Sequence, residues 1–185
     1  MAAYGNNIVV GTFWNPYTRK QGGAYLSTNN GTSWTNISNE WPQMDSTHIN
    51  DVESVDIVPN NIGGTNILVS CVNTDFSVYP ETRAGHLYLS TDNGANWTIA
   101  DSGLANSPVV AFAVSGNSIY AGTAYMNYRP GSIYHSTTNV TNWTITDSGL
   151  PKDSSFSVWS FAVYSNGAGD TTLFAGTTNG IYLTP

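Results

Sequence analysis

Short apolar runs recur along the whole chain, separated by stretches rich in Gly, Asn, Ser and Thr. Four runs align with one another: IVVGT at 8–12, ILVSC at 67–71, IYAGT at 119–123 and LFAGT at 173–177. A second run follows each of them after a loop of variable length: AYLS at 24–27, LYLS at 87–90, IYHS at 133–136 and IYLT at 181–184. A further run precedes three of the units: VESVDIV at 52–58, VVAFAV at 109–114 and VWSFAV at 158–163. No segment shows a helical period, so the pattern predicts strands throughout.

Three of the second runs lead into the same eight-residue segment: STNNGTSW at 27–34, STDNGANW at 90–97 and STTNVTNW at 136–143. A catalytic site is normally used once per chain, whereas a structural turn can be used in every repeat. We therefore interpret these segments as turns. The residue at the Asp92 position accepts backbone N–H groups, Gly94 takes a positive φ, and the tryptophan fills the space below. The third copy lacks both Asp and Gly, which predicts a looser turn.

The unit that repeats is predicted to be four antiparallel strands, A to D, in about 45 to 60 residues, which is the size and order of a propeller blade. The eight-residue turn joins strand C to strand D. The predicted fold is all-β, a single β-propeller domain over 1–185. Its expected blades are approximately 1–50, 51–105, 106–152 and 153–185.

The turn resembles the Asp-box of the BNR-repeat family, whose pattern is Ser-x-Asp-x-Gly-x-x-Trp. The second copy matches the pattern completely, at Ser90, Asp92, Gly94 and Trp97. The first copy matches at Ser27, Gly31 and Trp34, with Asn29 in place of Asp. The third copy retains only Ser136 and Trp143. The resemblance covers the whole chain and implies a β-propeller. Its members include sialidases, other glycosidases and non-catalytic binding proteins, so the resemblance does not imply one activity. The Arg-Ile-Pro element of the sialidases is missing, and no catalytic residue is carried over.

The first and last repeats leave the closure of the ring open. Residues 2–12 align with 113–123, so the chain opens partway through strand A, and the fourth repeat stops where its turn would begin. About four blades are expected, the last one incomplete. They can close as a small ring, or form half of an eight-bladed ring completed by a second copy about a two-fold axis. We expect the homodimer, because rings of this family usually have six or more blades.

Composition excludes several classes of partner. The net charge is -7 and only 9% of the residues are charged, which argues against nucleic acid as a partner. No apolar stretch approaches the roughly 20 residues of a membrane helix. Cys71 is the only cysteine, so an intrachain disulfide is excluded. The chain shows no signal peptide, yet its Asn- and Thr-rich, Lys-poor composition favours a secreted or cell-surface parent protein.

Antiparallel order places the C–D turns with the A–B turns on one face, and the B–C and D–A loops on the other. The three long B–C loops each carry two aromatic residues and an arginine, and binding loops on a regular scaffold vary in this way. These candidates for ligand binding are Trp14, Tyr17, Arg19, Phe76, Tyr79, Arg83, Tyr125, Tyr128 and Arg129. Aromatic rings can stack on sugars and a guanidinium can bind a carboxylate. Structural pairing of the arginines with Asp75, Glu81 or D–A loop acids is the alternative.

The D–A connections supply further polar residues. The segment 38–51 has no counterpart and offers Glu40, Trp41, Asp45, His48 and Asp51, whereas Asp101 and Asp147 occupy matching DSGL turns. The spacing around His48 fits no metal pattern, and we expect no metal or other cofactor. The favoured function is a non-catalytic module that binds a glycan or a protein partner at the loop face. A glycoside hydrolase, or a fragment of one, and a purely structural scaffold are the alternatives.

Overall fold

The computed structural model describes residues 1–13, 17, 22–38, 41, 48–60, 64–75, 82–137, 140, 142–151, 153, 155–165 and 171–184. These residues form four antiparallel sheets, each built from strands that are consecutive in sequence. The predicted all-β propeller architecture is confirmed. Among the described residues, no helix is long and apolar enough to span a bilayer.

The sheets are the blades of the propeller. Blade 1 contains β1 (Ala2–Tyr4), β2 (Asn7–Gly11), β3 (Ala24–Ser27) and β4 (Thr35–Asn36). Blade 2 contains β5 (His48–Pro59), β6 (Thr65–Asp75), β7 (Thr82–Ser90) and β8 (Thr98–Ile99). Blade 3 contains β9 (Val109–Ser115), β10 (Ser118–Thr123), β11 (Ile133–Thr137) and β12 (Thr144–Ile145). Blade 4 contains β13 (Val158–Ser165), β14 (Thr171–Thr177) and β15 (Gly180–Thr184).

Blade 2 differs from the sequence expectation because its first hairpins are long. Strand β5 begins at His48, which pairs with Asp75, so His48 and Asp51 belong to a strand and not to the D–A loop. Arg83 likewise lies within β7, opposite Thr74. Backbone pairing therefore extends into both segments that the sequence assigned to loops.

The fourth strand of blades 1 to 3 is shorter than predicted, with only two residues in each ladder. This strand is the outer edge of its sheet, and one further hydrogen bond continues the pairing beyond it. Ala100 N–H, for example, donates to Leu87 O at 2.8 Å.

Apolar clusters fill each junction between successive blades. The first cluster joins blades 1 and 2 and contains Val9, Leu26, Val69 and Tyr88. The second joins blades 2 and 3, and the third joins blades 3 and 4. Each inner blade is consequently covered on both faces, and a sheet buried on both faces is stabilised by apolar burial on each side.

The first strands of the blades, β1, β5, β9 and β13, pack next to one another in succession around the inside of the arc. Strands β5, β9 and β13 each carry a register shift at the same place, at Glu53, Val110 and Trp159. A β-bulge re-aims the side chain of its extra residue. Residues 1–3, 53–56 and 110–112 line a channel of about 400 Å³ along these strands.

Hydrogen bonds of the Ser and Asp side chains close the second C–D turn. Ser90 Oγ donates to Asp92 Oδ1 at 2.9 Å and accepts from Gly94 N–H at 2.7 Å. Asp92 Oδ1 also accepts from Asn96 N–H at 2.8 Å. Gly94 has a φ of 82°, which suits glycine. The carboxylate and the hydroxyl thus hold the backbone of a tight turn.

The first turn has the same bonds with an amide in place of the carboxylate. Asn29 Oδ1 accepts from Ser27 Oγ at 3.0 Å and from Ser33 N–H at 2.9 Å. The third turn differs, because Val140 stands at the glycine position with a φ of 50°, and the buried Ser136 Oγ has no hydrogen-bond partner among the described residues. Both features fit the looser turn that is predicted from the absence of Asp and Gly in the third copy.

The C–D turns lie on the same face as the A–B turns, since Asn30 N–H donates to Asn6 O at 3.1 Å. The B–C and D–A loops meet on the opposite face. There, Ala124 N–H donates to Pro108 O at 3.2 Å, and Gly131 N–H donates to Phe156 O at 2.6 Å. The assignment of loops to two faces therefore agrees with the sequence expectation.

Candidate functional site

A cleft of about 230 Å³ opens on the B–C and D–A face, between blades 2 and 3. It is the place where two of the three predicted arginines come together. Its lining comprises Arg83, Ala84, Ala105, Asn106, Ser107, Met126, Asn127 and Arg129. The cleft is bordered by the start of β7, the D–A loop between blades 2 and 3, and the B–C loop of blade 3.

Two hydrogen bonds hold the three segments that border the cleft together. Gly85 N–H donates to Asn106 O at 3.0 Å, which joins β7 to the D–A loop. Asn127 Nδ2 donates to Arg83 O at 2.7 Å, which joins the B–C loop of blade 3 to β7. A Cβ on Gly85 would lie 2.4 Å from Pro108 N, so only glycine permits this close approach.

The two arginines are held in different ways. Arg83 Nε donates to Thr74 Oγ1 at 3.4 Å across the β6–β7 ladder, a long bond that orients the guanidinium weakly. Arg129 follows a two-residue turn, in which Met126 and Arg129 exchange backbone hydrogen bonds of 3.1 and 3.0 Å. Both side chains are exposed. Their cationic groups are therefore available to solvent at the cleft.

The turn before Arg129 presents an aromatic side chain in an unusual backbone conformation. Asn127 and Tyr128 have φ values of 51° and 62°, as in the tight hairpin turns that usually contain Asn and Gly. A tyrosine at a positive φ is strained, and such residues cluster at functional sites. Tyr128 is 92% exposed and Tyr125 is 38% exposed, so both rings are accessible next to the cleft.

Tyr17 is the one predicted ligand-binding candidate of blade 1 that lies within the described residues. Tyr17 is 95% exposed, but it is absent from the lining. Trp14, Arg19, Phe76 and Tyr79, as well as Glu40, Asp45 and Glu81, lie outside the described residues. The described part of the site therefore consists of Arg83 and Arg129, with Tyr125 and Tyr128 beside them.

Trp41, which the sequence grouped with the polar D–A candidates, lies in the core between blades 1 and 2. It stacks on Tyr88 at a centroid distance of 5.5 Å and meets Trp97 edge to face at 5.9 Å. It is only 4% exposed. This ring therefore stabilises the junction between the blades, and it does not face the loop surface.

The DSGL aspartates are turn residues, as the sequence predicts. Leu104 N–H donates to Asp101 O at 2.8 Å, and Leu150 N–H donates to Asp147 O at 3.1 Å. Asp101 Oδ2 also lies 3.0 Å from His86 Nδ1. Asp153, which the sequence placed among the carboxylates able to reach the loop face, is exposed and bonds to Ser155 and Asn179.

Two acidic residues of β5, Glu53 and Asp56, were not identified from the sequence as candidate functional residues. Burial raises the pKa of Glu53, the charge of Asp51 raises it further, and Arg83 opposes the shift. Burial also raises the pKa of Asp56, against the hydrogen bond from Ile57 N–H at 2.8 Å. Both residues line the channel. The sequence signal that could have identified them is the presence of acidic residues inside the apolar run VESVDIV. In a sheet that is buried on both faces, such positions are normally apolar.

Within the described part of the chain, no group of three or more His, Cys, Asp or Glu side chains is placed to hold a metal ion. Cys71 is buried and unpaired as a thiol. The chemistry that the described cleft offers is therefore charge recognition by guanidinium groups and stacking by tyrosine rings.

No protein-family model matches the chain, and no curated protein matches it. Several solved structures resemble it at low sequence identity, two of which are described here. The extracellular domain of a protein described as a one component system of B. thetaiotaomicron has a TM-score of 0.58 and 15% identity, over 99% of this chain and 20% of that chain. A Hadza microbial sialidase has a TM-score of 0.52 and 13% identity, over 88% of this chain and 32% of that chain.

The chain thus spans a fifth to a third of the length of these two proteins. Likeness at such identities establishes the fold and carries no residue roles. Four successive antiparallel blades packed face to face, with their first strands side by side, give this chain the β-propeller fold found in these structures.

Proposed function

We propose that the chain is a non-catalytic segment of an Asp-box propeller that binds an acidic glycan in the cleft between blades 2 and 3. The parent protein acts outside the cytoplasm. Arg83 and Arg129 bind the carboxylate of the sugar, and Tyr125 and Tyr128 stack on its rings. The observation that carries the proposal is the presence of two exposed guanidinium groups in one cleft of an acidic protein.

Charge distribution supports an anionic ligand. The chain has 5 basic residues against 12 acidic ones, yet two of those basic residues line the same 230 Å³ cleft. A guanidinium binds a carboxylate through two parallel N–H donors, which fixes orientation as well as adding energy. Neither arginine forms a salt bridge with a carboxylate among the described residues.

Aromatic exposure supports a sugar rather than a simple anion. Tyr128 projects from a strained turn with 92% of its surface accessible, and such strain clusters at binding sites. Flat rings cover the apolar faces of sugars at low entropic cost. The sialidase and the extracellular domain with similar folds suit a propeller that handles glycans outside the cell.

Titration calorimetry tests the proposal with a sialylated trisaccharide, a uronic acid oligomer and lactose as the neutral control. Saturable binding of one acidic sugar and not of lactose is expected. Arg83→Gln with Arg129→Gln should weaken it at least about tenfold, the loss expected for one charge-assisted hydrogen bond. Arg129→Lys retains the charge without the paired donors, so its affinity should lie between those of the wild type and the double variant. No saturable binding of any acidic sugar at millimolar concentration would contradict the proposal.

A glycoside hydrolase is the second candidate, and the environment of Glu53 favours it. Burial and the nearby charge of Asp51 both raise the pKa of Glu53, as expected of a carboxyl group that serves as a general acid. Glu53 lines the channel, whereas Arg83, whose charge lowers the pKa of Glu53, lines the cleft.

Turnover of fluorogenic sialosides and glucosides distinguishes the two functions. The binding module releases no fluorophore, and Glu53→Gln leaves its sugar affinity unchanged. A hydrolase releases fluorophore and loses that turnover in Glu53→Gln while still binding the sugar. Ser54→Ala, on the same strand, removes the hydrogen bond of 2.6 Å from Ser54 Oγ to Val109 O, so it shows what disturbance of β5 alone does to turnover and binding.

A further inference from the structure

The outer face of blade 1 exposes three apolar side chains that the repeat buries elsewhere. Val10, Tyr25 and Trp34 surround an open groove of about 210 Å³. Tyr25 is 37% exposed and Trp34 is 44% exposed. Large exposed apolar patches on soluble proteins mark interaction surfaces.

The same three positions are buried in blades 2 and 3. Register pairs Val10 with Tyr25 in blade 1, as Val69 pairs with Tyr88 in blade 2. Val69 and Tyr88 are 0% exposed, and Trp97, the equivalent of Trp34, is 7% exposed. They are covered by the preceding blade. In blade 3 the equivalent residues, Ala121, Tyr134 and Trp143, are likewise buried.

Blade 4 exposes the opposite half of such a junction. Ile181 pairs with Gly176, as Leu87 pairs with Ser70 and Ile133 with Gly122. Leu87 and Ile133 are 0% exposed, because each is covered by the following blade, whereas Ile181 is 78% exposed. Its neighbour on the same face, Leu183, is 64% exposed. The two ends of the arc are therefore complementary halves of the interface that occurs within the chain.

Strands β1–β4 of blade 1 and β13–β15 of blade 4 contain no Asp, Glu, Lys or Arg. The charged residues of the two end blades all fall outside these strands in the sequence: Arg19, Lys20, Glu40, Asp45, Asp153 and Asp170. Strands β9–β12 of the covered blade 3 likewise contain none, whereas the strands of blade 2 carry Asp51, Glu53, Asp56, Asp75 and Arg83. Depletion of charge together with enrichment of aromatic residues characterises the buried centre of protein interfaces.

We propose that blade 1 of one copy docks on blade 4 of a second copy, so that two chains form an eight-bladed ring. The contact joins different faces of the two copies, and a two-fold axis then creates the junction twice. Trp34 enters this junction as Trp97 and Trp143 enter theirs, with Ile181 and Leu183 on the opposing face. The inference is independent of the glycan proposal.

Sedimentation equilibrium of the 185-residue chain measures the mass directly. The expected value is twice the chain mass of 19.8 kDa. Trp34→Glu and Ile181→Lys should each give a particle of one chain mass when alone, because either change places a charge in both junctions of a homodimer. Loss of a central aromatic residue should weaken association at least about tenfold. Trp159→Glu, an exposed tryptophan at the channel bulge, should retain the doubled mass.

Mixing the two variants separates this arrangement from others. A dimer of one Trp34→Glu chain with one Ile181→Lys chain contains one unaltered junction, so the mixture should recover the doubled mass. Recovery also shows that both variants are folded. A wild-type monomer at concentrations up to about 100 µM, a mass beyond two chains, or a variant that stays dimeric alone overturns the proposal. So does a mixture that remains monomeric.

Discussion

The indole N–H of Trp97 donates a hydrogen bond of 2.8 Å to the backbone carbonyl of Ile37, which lies 60 residues earlier and in the preceding blade. Trp143 repeats the relationship with Ala100 O at 2.9 Å. The tryptophans that close the second and third C–D turns thus also bind the end of strand D in the preceding blade. One side chain couples the local turn to the packing between blades.

Replacing Trp97 with Phe should lower the free energy of unfolding by about 1–3 kcal/mol, because the buried carbonyl of Ile37 loses its donor. Urea denaturation followed by circular dichroism measures the change. Trp159→Phe is the matched control, since Trp159 is 57% exposed, and its change should stay within about 0.5 kcal/mol. Equal losses in the two variants would show that the bond contributes nothing.

Replacing Gly94 with Ala should destabilise the chain by about 3 kcal/mol. The residue has a φ of +82°, and an added Cβ would lie 2.7 Å from Ile37 Cβ. The left-handed backbone costs about 1–2 kcal/mol for an L residue, and overpacking costs about 1–3 kcal/mol. Gly116→Ala has a φ of +57° and open space around it, so it isolates the backbone cost. A loss in Gly94→Ala no larger than in Gly116→Ala would exclude the steric contact.

Asp92 should make the chain sensitive to acid. Hydrogen bonds from Asn96 hold the pKa of the Asp92 carboxyl below its usual value. A depressed pKa in the folded state means that the stabilisation is present above the unfolded pKa of about 3.9 and is lost as the pH falls through the folded pKa. Thermal melts between pH 7 and pH 2 measure this dependence.

Asp92→Asn is the informative variant, because Asn29 already performs the same role in the first turn. At pH 7 the variant should be slightly less stable than the wild type, since a neutral acceptor replaces a charged one. Its stability should fall less steeply below about pH 4. An unchanged acid profile would mean that Asp92 does not contribute to the pH dependence.

The Cys71 thiol should be inert while the chain is folded. The residue is 0% exposed, and burial raises its pKa to about 12. The thiolate is the reactive form, so modification by an aromatic disulfide reagent should require unfolding and follow the denaturation curve. Thr98→Cys in a Cys71→Ala background provides an exposed thiol that should react at once. Rapid labelling of Cys71 in the native chain would contradict the burial.

The sequence alone determined the strands and their grouping into blades. Apolar runs without helical periodicity, joined by turns in a repeated order, predict successive antiparallel sheets. The Ser-x-Asp-x-Gly spacing specifies a turn whose hydrogen bonds are all local. The two loop faces followed from antiparallel order, as the bond between Asn30 and Asn6 shows. Local hydrogen bonds and the alternation of side chains along a strand depend only on residues that are neighbours in sequence.

The tertiary structure decided which residues meet. Arg83 and Arg129 share a cleft because the Asn127 amide ties the loop of blade 3 to β7, and no spacing in the sequence specifies that contact. Trp41 lies in a core and not on a loop, and Glu53 faces the channel because a bulge re-aims it. Such placements depend on the packing of one blade against the next, which involves residues far apart in sequence.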